Sequence, residues 1–281
     1  MVRELAPGKL NLVLHVGPPE GGMHPIASLF ASLELADELE VTDAPPGAED
    51  AVLCPGVEGE NLAAVALRAF RDRMASVQRP GELRPLAVRI HKRIPVAAGL
   101  GGGSADAAAV LRVANRMAGD PLDADELRAL AAGLGSDVPS QVEPRHAIVS
   151  GTGEIVEPIA LPPVDVVLVP DARGLSAGAV YAELDRREGW RPRLDPAPLR
   201  RLAGMDAGAL AGVLENDLAP AAIALLPDVE RGLHTLREEG ALGAGVSGSG
   251  PTCFGLFESE AAAERAALAI PGAIATRLQA A

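Results

Sequence analysis

The run Pro95-Val96-Ala97-Ala98-Gly99-Leu100-Gly101-Gly102-Gly103-Ser104-Ala105 governs the reading of the whole chain. Its glycines carry no side chain to keep the backbone away from an anion. The residues that follow, Ala107, Val110, Leu111, Ala114 and Ala118, recur at helical spacing. Ser104 is the expected N-cap, with Asp106 in the first turn. A glycine turn that runs into a helix offers unsatisfied N–H groups and a positive dipole end, which suits phosphate. No Gly-Lys-Ser/Thr follows, so it is not a Walker loop, and the spacing is not that of a Rossmann turn. Taken alone, the string leaves a flexible connection as the alternative.

Upstream of this run, residues 10–16 and 86–90 read as strands. Between them a helix opens at Asn61, with Leu62, Val65, Ala66 and Ala69 on one stripe. Downstream, a helix over 125–134 carries Leu127, Leu130, Ala131 and Leu134. Gly133 and Gly135 can stop it, which leaves Asp137 in a turn ahead of Pro139. Residues 157–163 hold three prolines and read as a junction. Beyond it, strands are expected over 164–169, 252–257 and 274–278, and helices over 228–239 and 261–269. That order suits an α+β layer with helices on one face of an antiparallel sheet. Two domains are therefore expected, 1–157 and 158–281.

The 281 residues are 48% hydrophobic and 22% charged, which supports a folded core and excludes a disordered or fibrous chain. A net charge of −13 with only 2% aromatic residues excludes the basic, stacking surfaces that hold nucleic acid. Cys54 and Cys253 stand far apart with no Cys-x-x-Cys spacing, so a reduced, cytoplasmic setting is expected. Residues 1–7 show no charged-then-apolar leader, and no apolar run is long enough to span a bilayer, so no membrane partner is expected.

Of 25 basic side chains only Lys9 and Lys92 are lysines. In such an arginine-rich background a lysine at position 9 points to a need for a compact ammonium, against the alternative of a chance survivor. Lys9 and Asp137 form the candidate reactive pair, because an ammonium and a carboxylate beside a hydroxyl orient it and favour its alkoxide character. Asp137 read alone is more often a turn-capping carboxylate than a base. A second glycine cluster, residues 243–252, alternates with Ser247, Ser249 and Thr252 and reads either as a second phosphate contact or as a tight packing turn. Glu215-Asn216-Asp217-Leu218 reads as a helix cap before it reads as a metal-phosphate holder. None of the five histidines lies in an H-E-x-x-H string, so no zinc centre is signalled and no metal ligands are assigned. His24 follows Gly21-Gly22-Met23 in a loop, facing a base edge or solvent.

Four segments together resemble the GHMP small-molecule kinases: Ala6-Pro7-Gly8-Lys9-Leu10-Asn11-Leu12, the Pro95 to Ala105 turn, Leu134-Gly135-Ser136-Asp137-Val138-Pro139, and Gly248-Ser249-Gly250. Within that family the likeness is to the branch that phosphorylates the 2-hydroxyl of a cytidine-diphosphate-linked methylerythritol in non-mevalonate isoprenoid synthesis. The alternatives are a family member acting on mevalonate, phosphomevalonate, homoserine or a sugar, or a non-catalytic nucleotide-binding protein. The resemblance implies a two-domain α+β fold, with a left-handed-crossover amino-terminal domain and a ferredoxin-like carboxy-terminal domain. It implies ATP and Mg2+ as cofactors and a small-molecule substrate. By the same resemblance Lys9 and Asp137 are catalytic, and Pro95, Val96, Ala97, Ala98, Gly99, Leu100, Gly101, Gly102, Gly103, Ser104 and Ala105 hold the ATP phosphates. Asn11, His24, Tyr181, Gly248 and Ser249 fall on the substrate side, Tyr181 covering the cytosine. The family places an aromatic before the loop histidine where this chain has Met23, which implies one-sided stacking or thioether contact.

Overall fold

The computed structural model describes residues 1–57, 59, 61–77 and 83–280. The elements run β1 (Val2–Val16), β2 (Ile26–Asp43), β3 (Ala51–Leu53), α1 (Leu62–Val77), β4 (Leu86–His91), α2 (Gly102–Met117), α3 (Ala124–Ala132), α4 (Val138–Gln141), β5 (Ala147–Gly151) and β6 (Ile155–Pro158). They continue with β7 (Asp165–Val169), α5 (Ala177–Arg186), a 3-10 turn at Ala197–Leu202, α6 (Ala207–Ala211), β8 (Glu215–Asn216), α7 (Ala219–Leu225), α8 (Asp228–Glu238), β9 (Gly243–Val246), β10 (Cys253–Phe257), α9 (Glu260–Ala269) and β11 (Ile274–Arg277).

The chain folds as two compact units that interleave in sequence. The first holds residues 1–8, 35–96 and 101–144, and the second holds 9–34, 97–100 and 145–281. The long strands β1 and β2 contribute residues to both.

In the first unit β3 runs parallel to β4, and β4 pairs antiparallel with residues 38–43 of β2. Helix α1 connects the two parallel strands, as such a crossover requires. Asn61 opens α1 as the spacing predicts, its Oδ1 accepting from the Ala63 N–H at 2.8 Å. Ala63, Ala66, Leu67 and Phe70 form the buried stripe, and Ala107, Ala108 and Leu111 of α2 belong to the same core. Burying a side chain the size of Phe70 contributes about 1.5–3 kcal/mol. Asp123 and Glu126 close a reciprocal capping box at the start of α3, and Gly133 ends it.

The start of α2 differs from expectation. The helix begins at Gly102, and Gly101 is its N-cap with φ +70° and no side-chain cap bond, so Ser104 lies inside the helix. Consecutive glycines let the chain leave a left-handed φ and turn helical at once, which makes a serine cap unnecessary. The earlier start also moves Asp106 out of the first turn.

In the second unit, β5 pairs antiparallel with residues 26–30 of β2 and with β6, while β8 lies parallel to β1 at Val13 and Leu14. A separate antiparallel sheet runs β11-β7-β10-β9. Helices α8 and α9 pack on this sheet around Val229, Leu233, Leu236, Ala263 and Ala266. This is the α+β layer read from the second half of the sequence. The proline-rich junction extends β6 only as far as Pro158, and no strand resumes before Asp165.

Candidate active site

Within the second unit, Lys9 and Asn11 sit on β1 two residues apart and therefore share one face of the strand. Both are buried, at 4% and 3% exposure. A buried ammonium is costly unless it is paired, and this one donates to Asn11 Oδ1 at 2.7 Å and lies 4.7 Å over the Phe30 ring. The Asn11 amide donates in turn to Ser28 Oγ at 2.9 Å. Gly248, with φ +57°, closes over the pair. A Cβ there would stand 3.3 Å from Asn11 Oδ1 and 3.4 Å from Lys9 Nζ.

The first half of the glycine loop belongs to the same unit. The Lys9 N–H donates to Leu100 O at 2.9 Å, stitching the lysine strand to the loop. Gly99 has φ +76°, and a Cβ on it would lie 2.3 Å from Ser247 O, so glycine is required there. Ser247 is fully buried and its hydroxyl donates to Gly99 O at 3.0 Å, which makes the second glycine cluster a packing turn at this point. Ser249 is half-buried, and Thr252 is fully buried. Asn216 holds the cluster, donating to Val246 O and Gly248 O at 2.8 Å each. Its Oδ1 accepts from the Leu218 N–H at 2.8 Å in the turn ahead of α7, but Leu218 is itself the N-cap and no side chain caps the helix, so the capping read from the string at 215–218 is not made. Ala97 adopts φ +54°, a left-handed conformation uncommon for a residue with a Cβ.

In the first unit, Pro95 and Val96 lead from Ile94, and Gly101 to Ala105 open α2. The first helical bond runs from the Ala105 N–H to Gly101 O at 2.8 Å. The N–H groups of Gly102, Gly103 and Ser104 therefore have no helical carbonyl to meet. Gly103 is exposed, with nothing within 4 Å of where its Cβ would be. That entrance fits phosphate oxygens. Below it, Lys92 makes ion pairs with Asp37 and, at 2.8 Å, with Asp106. Asp37 also accepts from the N–H groups of Arg93 and Ile94 at 2.6 and 2.9 Å. Burial alone would depress the Lys92 pKa, but the two carboxylates more than offset it and the net shift is upward. Burial pushes the Asp106 carboxyl up to about 7, against the pull of Lys92.

Asp137, also in the first unit, is half-buried at the N-cap of α4 and makes no side-chain cap bond to it. Arg112 anchors α4, donating to Gln141 O at 2.6 Å while also binding Leu5 O and Glu4.

A further group in the second unit joins His24 and Tyr181, whose rings stack at 5.2 Å between centroids and 29° between planes. Gly21 and Gly22, both with positive φ, make the tight turn closed by Glu20 and Met23 that presents His24. His24 Nδ1 donates to Gly17 O at 2.7 Å, and Nε2 lies 3.3 Å from Asp185 Oδ1. Met23 is 49% exposed. Among the described residues no three His, Cys, Asp or Glu side chains form a metal-holding group.

The structure thus brings Lys9, Asn11, Gly99, Leu100 and Gly248 together, and His24 with Tyr181. The sequence reading missed Ser28, Arg112 and the Asp37–Lys92–Asp106 cluster, and it read Asn216 only as part of a capping string. The rarity of lysine was the signal available for Lys92, and a hydroxyl within the mainly apolar run 26–33 was the signal for Ser28.

Residues 61–143 match the GHMP kinases N terminal domain and residues 193–275 the GHMP kinases C terminal domain. A relative from Anaeromyxobacter sp. (strain Fw109-5), a 4-diphosphocytidyl-2-C-methyl-D-erythritol kinase, is 42% identical over 98% of this chain and 88% of its own. The chain belongs to the GHMP kinases. As a GHMP kinase it is an ATP-dependent small-molecule kinase. A crystal structure of 4-(cytidine 5'-diphospho)-2C-methyl-D-erythritol kinase is 35% identical, with a TM-score of 0.80 over 100% of both chains. Homoserine kinase from Cytophaga hutchinsonii shares the fold at a TM-score of 0.70 and 15% identity, over 99% of this chain and 94% of its own. No helix among the described residues is long and apolar enough to cross a membrane.

Proposed function

We propose that this GHMP kinase transfers the γ-phosphoryl group of ATP to the 2-hydroxyl of 4-diphosphocytidyl-2-C-methyl-D-erythritol. The observation that carries the substrate choice is the contrast in relatedness. Identity to kinases named for this alcohol is 42% over nearly the whole chain, against 15% and 16% for homoserine and mevalonate kinases of the same fold. The stacked His24 and Tyr181 add a chemical reason, since a ring platform beside imidazole and carboxylate groups suits a cytosine.

Phosphoryl transfer asks mainly for in-line placement and charge neutralisation. The amides from Gly101 to Ser104, with the loop from Pro95 and on to Ala105, hold the phosphates of ATP. Lys9 offers its ammonium to the transferred group, and Asp137 orients the acceptor hydroxyl and takes its proton. Asn11, Gly248 and Ser249 belong with His24 and Tyr181 on the acceptor side. Mg2+ bound with ATP supplies further neutralisation of phosphate charge. Such an ion is held by one or two carboxylates together with the substrate's phosphate oxygens.

The two free cysteines and the net charge of −13 support a cytoplasmic enzyme that takes a small molecule and no nucleic acid. We take 1–157 and 158–281 as its domains, a division that keeps each matched segment whole. ADP release is measured with Mg-ATP and the cytidylated methylerythritol, mevalonate or homoserine in turn. Turnover with the cytidylated alcohol alone is expected. Turnover only with mevalonate or homoserine would overturn the substrate assignment.

A further inference from the structure

Asn11 can face Lys9 with either its oxygen or its amino group, and the surrounding bonds decide which. Ser28 is fully buried on β2, and its Oγ stands 2.5 Å from Val13 O. A carbonyl oxygen only accepts, so the hydroxyl proton of Ser28 is committed to Val13. Toward Asn11 the Ser28 oxygen is then left only to accept, and it takes the N–H of Asn11 Nδ2 at 2.9 Å. That turns Asn11 Oδ1 toward Lys9 Nζ at 2.7 Å. Every bond runs one way, from ammonium to amide to hydroxyl to carbonyl. A reversed amide would set donor against donor at Lys9 and acceptor against acceptor at Ser28. The Phe30 ring 4.7 Å from Nζ and the close approach of Gly248 bound the ammonium further.

We propose that Ser28 is a positioning residue for phosphoryl transfer, its hydroxyl locking the Asn11 amide so that the amide oxygen holds the Lys9 ammonium in place. The inference rests on the reading of Lys9 as the cation that meets the transferred group. Without the Ser28 hydroxyl the amide loses the contact that fixes its orientation, and the ammonium loses a fixed acceptor. Asn11 thereby serves the acceptor side through Lys9.

Steady-state kinetics on the full chain with Mg-ATP and the cytidylated alcohol, for a set of variants, test this. Ser28→Ala is expected to lower kcat about tenfold, the cost of one misplaced charge-assisted contact, while both KM values stay within about twofold. Ser28→Thr, which keeps the hydroxyl, is expected to restore turnover. The Asn11→Ala/Ser28→Ala double variant is expected to be no slower than Asn11→Ala, because Ser28 acts through Asn11. Wild-type kcat in Ser28→Ala beside a collapsed kcat in Lys9→Ala overturns the role of Ser28 and leaves that of Lys9 standing. Losses that add in the double variant also overturn it. Normal turnover in Lys9→Ala instead refutes the reading of Lys9, and the inference with it. If thermal melts show Ser28→Ala to be poorly folded, Ser28→Cys carries the test, since it keeps the volume and forfeits most hydrogen bonding. Slow turnover in Ser28→Cys beside fast turnover in Ser28→Thr supports the proposal, and equal rates contradict it.

Discussion

Replacing Gly103 by alanine separates the two things a glycine at a helix entrance can do. Gly103 lies inside α2 without a positive φ, and its Cβ would meet nothing within 4 Å. For the folded chain alone the change is favourable, since alanine in a helix is worth up to about 1 kcal/mol over glycine. For a phosphate held against the amides of Gly102 to Ser104 the methyl is an obstruction, and overpacking of that kind costs about 1–3 kcal/mol. Affinity for ATP should therefore fall about 5- to 150-fold while stability holds or rises. Calorimetric titration with a non-hydrolysable ATP analogue gives the first quantity and urea unfolding the second. Unchanged nucleotide affinity in a normally stable variant would refute the assignment of this entrance to phosphate. Loss of both together would show instead that Gly103 serves the fold.

Gly99→Ala should do the opposite: a left-handed φ with a Cβ costs about 1–2 kcal/mol and the clash with Ser247 O about 1–3 more, so urea unfolding should show a large loss of stability, and a small change would contradict the contact. Asp106 keeps its proton up to about pH 7 in the fold, whereas an ordinary exposed aspartate gives it up near 3.8. Its contribution is thus complete below the lower value and is lost as pH rises through the upper one. Urea midpoints from pH 5 to 8 should fall in the wild type relative to Asp106→Asn, and parallel curves would show that Asp106 does not titrate there. Asp137→Asn is expected to bind ATP normally and lose most turnover; near-normal kcat would remove the carboxylate from the chemistry. Lys9→Arg is expected to be nearly inactive, because the larger planar fork cannot occupy the buried place of an ammonium, and full activity would refute that.

Much of this was legible in the amino-acid order because it is local. The opening of α1 at Asn61, the strands β7, β10 and β11 with the helices α8 and α9, and the glycine turn entering α2 each depend on residues within a few positions of one another, whereas the buried stripe of α1 falls on Ala63, Ala66, Leu67 and Phe70, one position on from the stripe read for it. Ser104 was misread as a cap because a serine before an apolar stripe is the ordinary signal. Gly101 supplies the needed φ itself, and no rule of side-chain type reports that. Ser28 and the hold of Asn216 on the second glycine cluster escaped because the partners are distant in sequence: 17 residues separate Asn11 from Ser28, and 32 separate Asn216 from Gly248. Lys92 was conspicuous as a rare lysine, but its meeting with Asp37 crosses 55 residues and follows from strand pairing.

The acceptor itself offers the most direct test. In 2-C-methyl-D-erythritol the carbon bearing the 2-hydroxyl also bears the methyl group and carries no hydrogen. A phosphomonoester formed there has no three-bond proton partner, whereas one formed on a primary or secondary hydroxyl does. A proton-coupled phosphorus-31 spectrum of the reaction with Mg-ATP and the cytidylated alcohol should show a new monoester singlet growing as the γ-phosphate signal declines. A split monoester signal, or consumption of ATP with no new monoester, would contradict the account.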